Sequence, residues 1–123
     1  MKRIVLIVVV LGLFVFGRMA SAEWTPIKRL TWNTGNSEYP AIAVDSLGYV
    51  HVAWQDDRSG DSEIYYRKST NEGSTWLASQ RLTWNSGGCY MPTIAVDSSG
   101  NVHVVWEDYT PGNDEIYYRK YLK

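Results

Sequence analysis

The stretch Arg29-Leu30-Thr31-Trp32-Asn33 returns as Arg81-Leu82-Thr83-Trp84-Asn85, an interval of 52 residues that organises the rest of the sequence. Ile42-Ala43-Val44-Asp45-Ser46 comes back as Ile94-Ala95-Val96-Asp97-Ser98, and Glu63-Ile64-Tyr65-Tyr66-Arg67-Lys68 as Glu115-Ile116-Tyr117-Tyr118-Arg119-Lys120. Aligning residues 24–71 with 76–123 needs no gap. It gives 26 identities in 48 pairs and places all six Trp in three pairs, which excludes chance and leaves two copies of one unit. A fixed period of this length marks stacked supersecondary units, none of which buries its apolar face alone.

Within one unit the pattern predicts four short strands and no helix. Pro40 to Asp45 is a small apolar strand; Tyr49 to Asp56 is longer and rich in β-branched and aromatic residues, after the tight turn Ser46-Leu47-Gly48. Glu63 to Ser69 follows a polar loop, and Gln80 to Trp84 follows a turn at Asn71-Glu72-Gly73. No segment after the first 22 residues shows a 3.6-residue apolar period. Four antiparallel strands in 40 to 50 residues match the size and content of a β-propeller blade. The expected fold is therefore all-β, with two four-stranded antiparallel blades: residues 40–85 the first, residues 92–121 the second, and residues 24–33 an opening strand.

The turn Ser69-Thr70-Asn71-Glu72-Gly73-Ser74-Thr75-Trp76 resembles the Asp box (BNR repeat) of the sialidase-like propellers, Ser-x-Asp-x-Gly-x-Thr-Trp, with Asn71 where that family has Asp. The residues Ser69, Asn71, Gly73, Thr75 and Trp76 imply a hairpin lock. A short side-chain acceptor folds back on the turn backbone, Gly73 takes a conformation closed to other residues, and the Trp ring covers the hairpin. Such a box is structural and bears on fold rather than chemistry.

The first 22 residues have the form of a secretory signal: basic Lys2 and Arg3, an apolar run from Ile4 to Gly17, and the small-residue site Ala20-Ser21-Ala22. Cleavage after Ala22 would release residues 23–123 as a secreted or periplasmic module. The apolar run falls short of the ~20 residues a spanning helix needs, so no stable membrane anchor is expected. Lys2, Arg3 and Arg18 hold three of the 12 basic residues, while all 13 acidic residues lie later, so the remainder is acidic and nucleic acid is not an expected partner. Cys89 is the single cysteine, which rules out an internal disulfide; a buried free thiol is expected in preference to a bridge between chains.

In strand order the chain reads fourth strand, then a full unit, then first to third strands. The opening strand is thus the piece the last unit lacks. Two blades do not close a ring, since propellers have four to eight. One expectation is a homo-oligomer, three copies forming a six-bladed ring by head-to-tail pairing of residues 24–32 with 115–121. The others are a fragment of a longer propeller and two blades folded back on themselves.

Candidate chemistry is repeated too. The loop Asp56-Asp57-Arg58-Ser59-Gly60-Asp61-Ser62-Glu63 is dense in oxygen ligands, and Asp56, Asp57, Asp61 and Glu63 are a weak Ca2+ candidate set. It lacks the glycine an EF-hand loop requires at its sixth position, and Tyr109 replaces Asp57 in the second copy, so a solvated loop is the favoured reading. No other metal or cofactor is expected. His51 and His103 lack companion ligands and read as structural. Sialidases, by the resemblance, bind a substrate carboxylate with three Arg and use a Tyr/Glu nucleophile pair with an Asp acid. Arg67 and Arg119 are copies of one strand position with no motif marking either as part of such a triad, so no catalytic residue is assigned and enzyme activity is not the favoured reading. Sugar binding suits the composition better, because aromatic faces stack on pyranose rings while charged groups take the hydroxyls. The candidate ligand residues are Trp32, Trp84, Trp54 and Trp106, with Glu63, Glu115, Arg67 and Arg119. The favoured function is a lectin-like or scaffold module for carbohydrate or protein surfaces; the alternative is an inactive fragment of a sialidase-like exo-glycoside hydrolase.

Overall fold

The structure, a computed structural model, describes residues 21–123; all but the last two residues of the expected leader lie outside the described residues. Seven strands form two antiparallel sheets: β1 (Ser37–Val44), β2 (Val50–Asp56), β3 (Glu63–Ser69), β4 (Gln80–Arg81), β5 (Cys89–Val96), β6 (Val102–Asp108) and β7 (Glu115–Tyr121). The first sheet has the order β1-β2-β3-β4 and the second β5-β6-β7. Each is a meander, as expected of strands joined by short polar turns. Pairing recurs at the sequence interval: Val52 lies opposite Arg67 and Val104 opposite Arg119, Trp54 opposite Tyr65 and Trp106 opposite Tyr117.

Alternation along the strands decides the packing. Ala41, Ala43, Ala53, Ile64 and Tyr66 point to one side of the first sheet and meet Ile94, Val102, Val104 and Trp106 of the second in the main apolar cluster. Small alanines on one side and a Trp with branched residues on the other let the two sheets interdigitate. The opposite side of the first sheet presents Val52, Trp54 and Tyr65, which Leu30 and Trp76 cover.

Three expectations need correction. Residues 24–33 form no strand. The outer edge of β3 is already taken by β4, so the opening segment has no strand edge within reach and lies instead across a sheet face, with Leu30 on Val52, Trp54 and Tyr65. The fourth strand, expected over 80–84, is only two residues long; beyond it Thr83 replaces the backbone ladder with a side-chain bond, its Oγ1 accepting from Ile64 N at 2.9 Å. The first strand of each unit begins three residues earlier than expected and carries a bulge, between Glu38 and Ala41 in β1 and between Tyr90 and Thr93 in β5. Tyr39 and Met91, both before proline, take a φ of 50° there, a costly conformation for residues with a Cβ.

The turn after β3 is closed by its side chains. Gly73 N donates to Ser69 Oγ at 2.9 Å, Thr75 N to Asn71 Oδ1 at 2.8 Å, Asn71 Nδ2 to Thr75 Oγ1 at 2.8 Å, and Trp76 Nε1 to Gly73 O at 3.2 Å. Gly73 sits at a φ of 81°, where a Cβ would be strained. Asn71 therefore holds the turn from two sides. Asn71→Ala is expected to lower unfolding free energy by about 1–2 kcal/mol in chemical denaturation, and Asn71→Asp, which keeps the acceptor for Thr75 N, by less.

Candidate functional site

Three side-chain networks organise the repeated polar residues; two are present in both sheets and the third only in the first. The first centres on the carboxylate that ends β2. Asp56 is fully buried and accepts from Trp54 Nε1 at 3.0 Å, Ser37 Oγ at 2.8 Å, Asn33 Nδ2 at 3.1 Å and Arg58 Nε at 2.8 Å. Asp108 takes the same place in the second sheet, accepting from Trp106 Nε1, Asn85 Nδ2, Cys89 Sγ and Thr110 N. Burial by itself raises both carboxyls, but the donors outweigh it and hold both below the usual carboxylate range. Cys89 is buried and free, as the sequence led one to expect; burial first, then the neighbouring Asp108 and Glu63 charges, push its thiol up to about 12.

The second network joins a turn to two strands. His51 Nε2 lies 3.2 Å from Asp45 Oδ2 and Nδ1 2.7 Å from the Tyr66 hydroxyl; His103 repeats this with Asp97 at 2.9 Å and Tyr118 at 2.8 Å. A carboxylate only accepts, so a neutral ring carries its proton on Nε2 and accepts from the tyrosine at Nδ1. Both ring nitrogens are spoken for by protein groups.

The third surrounds Glu63, buried at the start of β3. Arg81 Nη2 and Asn85 N donate to Oε1 at 2.7 and 2.9 Å, and Thr83 Oγ1 donates to Oε2. Its counterpart Glu115 is exposed and bonded only by Asn113 Nδ2 among the described residues. The Ca2+ candidates are not brought together. Asp56 and Glu63 are filled by separate donor sets, Asp57 accepts from Asn36 N at 2.6 Å and Asn36 Nδ2 at 3.0 Å, and Asp61 is exposed on the loop. No group of three or more His, Cys, Asp or Glu side chains forms a metal-ligating cluster among the described residues.

Burial likewise divides the tryptophans. Trp54 and Trp106 are packed, with Tyr65 and Tyr117 beside them at ring separations of 6.2 and 6.3 Å. Named from the sequence as ligand faces, these two rings have no face open to solvent, because Trp106 is packed between the sheets and Trp54 under Leu30 and Trp76. Trp32 and Trp84 are the exposed pair, each 65% accessible. Arg29 and Arg67 lie over Trp32 at 5.7 and 5.9 Å from the ring centre, and Arg81 and Arg119 over Trp84 at 5.6 and 6.0 Å.

The arginines are themselves fixed. Arg29 Nε donates to Thr31 O and Arg81 Nε to Thr83 O, both at 2.7 Å, while Arg67 Nη1 donates to Leu30 O at 2.5 Å and Arg119 Nη1 to Leu82 O. Each ring thus has two guanidinium groups within about 6 Å, one from its own segment and one from β3 or β7. Beside Trp32, a cleft of about 340 Å³ is lined by Lys28, Arg29, Arg67 and Trp76; between the sheets, Arg81, Arg119, Tyr66 and Tyr121 line one of about 330 Å³. Arg29 and Arg81 escaped the sequence reading, although their position three residues before each Trp was a signal available in the repeat.

Acid sensitivity follows from the carboxylates. The folded-state pKa values of Asp45, Asp56, Asp97 and Asp108 are all lowered. Their stabilisation is therefore present above the unfolded value near ~3.9 and is lost as pH falls through the folded values. The melting temperature should hold steady from neutral pH to about pH 5 and fall below about pH 4. Asp56→Asn should melt lower at neutral pH and lose less on acidification. Neither known protein families nor curated proteins give a match to this chain.

Proposed function

We propose that the chain is an exported carbohydrate-binding module whose two sheets are blades of a sialidase-like, Asp-box type β-propeller. The observation that carries the binding role is the duplicated exposed indole flanked by two guanidinium groups. A flat apolar ring stacks against the C–H face of a sugar, and arginine donors reach hydroxyl or carboxylate oxygens around it. Arg67 and Arg119 are held by the Leu30 and Leu82 carbonyls and keep further N–H groups as donors beside each ring. The ring and its cations are held before any ligand arrives, which lowers the ordering cost of binding.

Two such clusters at one interval suit a repeating or branched glycan, because linked sites raise apparent affinity through effective concentration. A hydrolytic role has less support. The buried carboxylates Asp56, Asp108 and Glu63 are each occupied by structural donors rather than facing a cleft as an acid–base pair. The leader is the support for export, and the turn at Ser69 to Trp76 is the support for the family likeness.

Glycan-array screening of the purified protein, followed by calorimetry with the best glycan, tests the proposal. Trp32→Ala with Trp84→Ala is expected to weaken binding at least about tenfold, the scale of one lost stacking contact, with little change in melting temperature because both rings are exposed. Absence of glycan binding by the wild-type protein, or undiminished binding by the double variant, would overturn it.

A further inference from the structure

The contact between the two sheets has two sides, and each side occurs a second time uncovered. On the second sheet, Ile94 faces the contact and is 8% exposed; its counterpart Ile42, on the equivalent face of the first sheet, is 66% exposed. On the first sheet, Ile64 faces the contact and is 0% exposed; its counterpart Ile116, on the far face of the second sheet, is 71% exposed. Val44, Val105 and Tyr118 follow the same division and are all exposed. The molecule therefore carries an uncovered front patch around Ile42 and Val44, beside the part of that face that Leu30 and Trp76 cover, and an uncovered back face around Val105, Ile116 and Tyr118, of the kind that already fit each other inside it.

The polar part of the contact shows the same incompleteness. Glu63 is enclosed by Arg81, Thr83 and Asn85, which run along the edge of β3 with Arg81 opposite Tyr65. The same three residue types recur at Arg29, Thr31 and Asn33, and the same edge recurs at β7, where no strand lies beyond β7 among the described residues. Arg29 already holds the conformation of Arg81, its Nε on the carbonyl two residues on. Glu115 offers the exposed carboxylate that Arg29 complements in charge.

We infer that a second copy of this chain docks head to tail: its residues 29–33 lie along the edge of β7, and its β1–β2 face covers the far face of the β5-β6-β7 sheet. Arg29, Thr31 and Asn33 of the docking copy enclose Glu115 as their counterparts enclose Glu63. The two patches differ, so the contact is heterologous and each copy keeps one free face for a further copy until rotation closes the assembly. Trp32 and Trp84 are equally exposed, although only residues 80–85 have a strand beside them. Docking therefore leaves the indole faces open, and the inference does not rest on the carbohydrate reading.

Light scattering on a sizing column at micromolar concentration tests it, with Ile42→Asp spoiling the front face and Ile116→Asp the back face. Both side chains are exposed in the single chain, so each variant should keep the β-sheet circular dichroism of the wild type. The wild-type protein is expected to have the mass of several chains, each variant the mass of one. An equimolar mixture of the two variants is expected to give a mass of two chains and no more, because one intact front meets one intact back. A one-chain wild type would overturn the inference. So would variants of unchanged mass, a wild-type aggregate that neither variant disperses, or a mixture that stays at one chain or grows past two. Trp32→Ala with Trp84→Ala should leave the mass unchanged, which keeps failure of assembly distinct from failure of ligand binding.

Discussion

The apolar layer between the two sheets is the constraint on which the rest depends. A three- or four-stranded meander has two faces, and among the described residues no helix covers either. Burying Ile64, Trp106 and Val104 against one another supplies on the order of 1.5–3 kcal/mol for each large side chain, set against the cost of ordering the backbone that carries it. The small residues Ala41, Ala43 and Ala53 decide how close the sheets come. A residue even one methylene larger there would move β5 away from β1 and open the layer.

Around that layer the buried charges are arranged so that, among the described residues, none is left without partners. Asp56 and Asp108 lie at the ends of the central strands, where they accept from an indole N–H and from the backbone of the following loop. This explains why the strand tryptophans recur with an acid two residues later. The ring fills the core, and the acid satisfies its polar edge and pins the loop. The exposed repeat pair Trp32 and Trp84 has no such acid and lies beside cations instead. One residue type thus serves packing in one register and an exposed surface in another, according to its neighbour.

Loop packing also shapes the rim. A Cβ on Gly35 would lie 2.4 Å from Asp57 Oδ1, and one on Gly87 2.4 Å from Thr110 N. Only glycine permits the segment before each first strand to lie against the loop after the second. Asn36 and Asp57 close that contact in the first sheet through backbone and side chain together. The rim is closely packed and hydrogen-bonded where the sequence looked merely polar.

By itself the sequence determined the all-β character, the limits of β2 and β3 within a residue, the locked turn at Asn71 and the burial of Cys89, because these rest on local alternation, turn chemistry and the residue's own hydrophobicity. It also determined which positions are counterparts, since the 52-residue interval is read without coordinates. Tertiary structure decided which copy of each pair is covered. Ile64 and Ile116 are identical in sequence neighbourhood and opposite in exposure, because one faces a second sheet and the other does not. Neighbours from other segments likewise withdrew Trp106, in the layer between the sheets, and Trp54, under Leu30 and Trp76, from the candidate surface, and turned Glu63 into a buried anchor beside Arg81, Thr83 and Asn85 while Glu115 stayed exposed. Burial is a property of what lies across the interface, and local pattern carries no record of it.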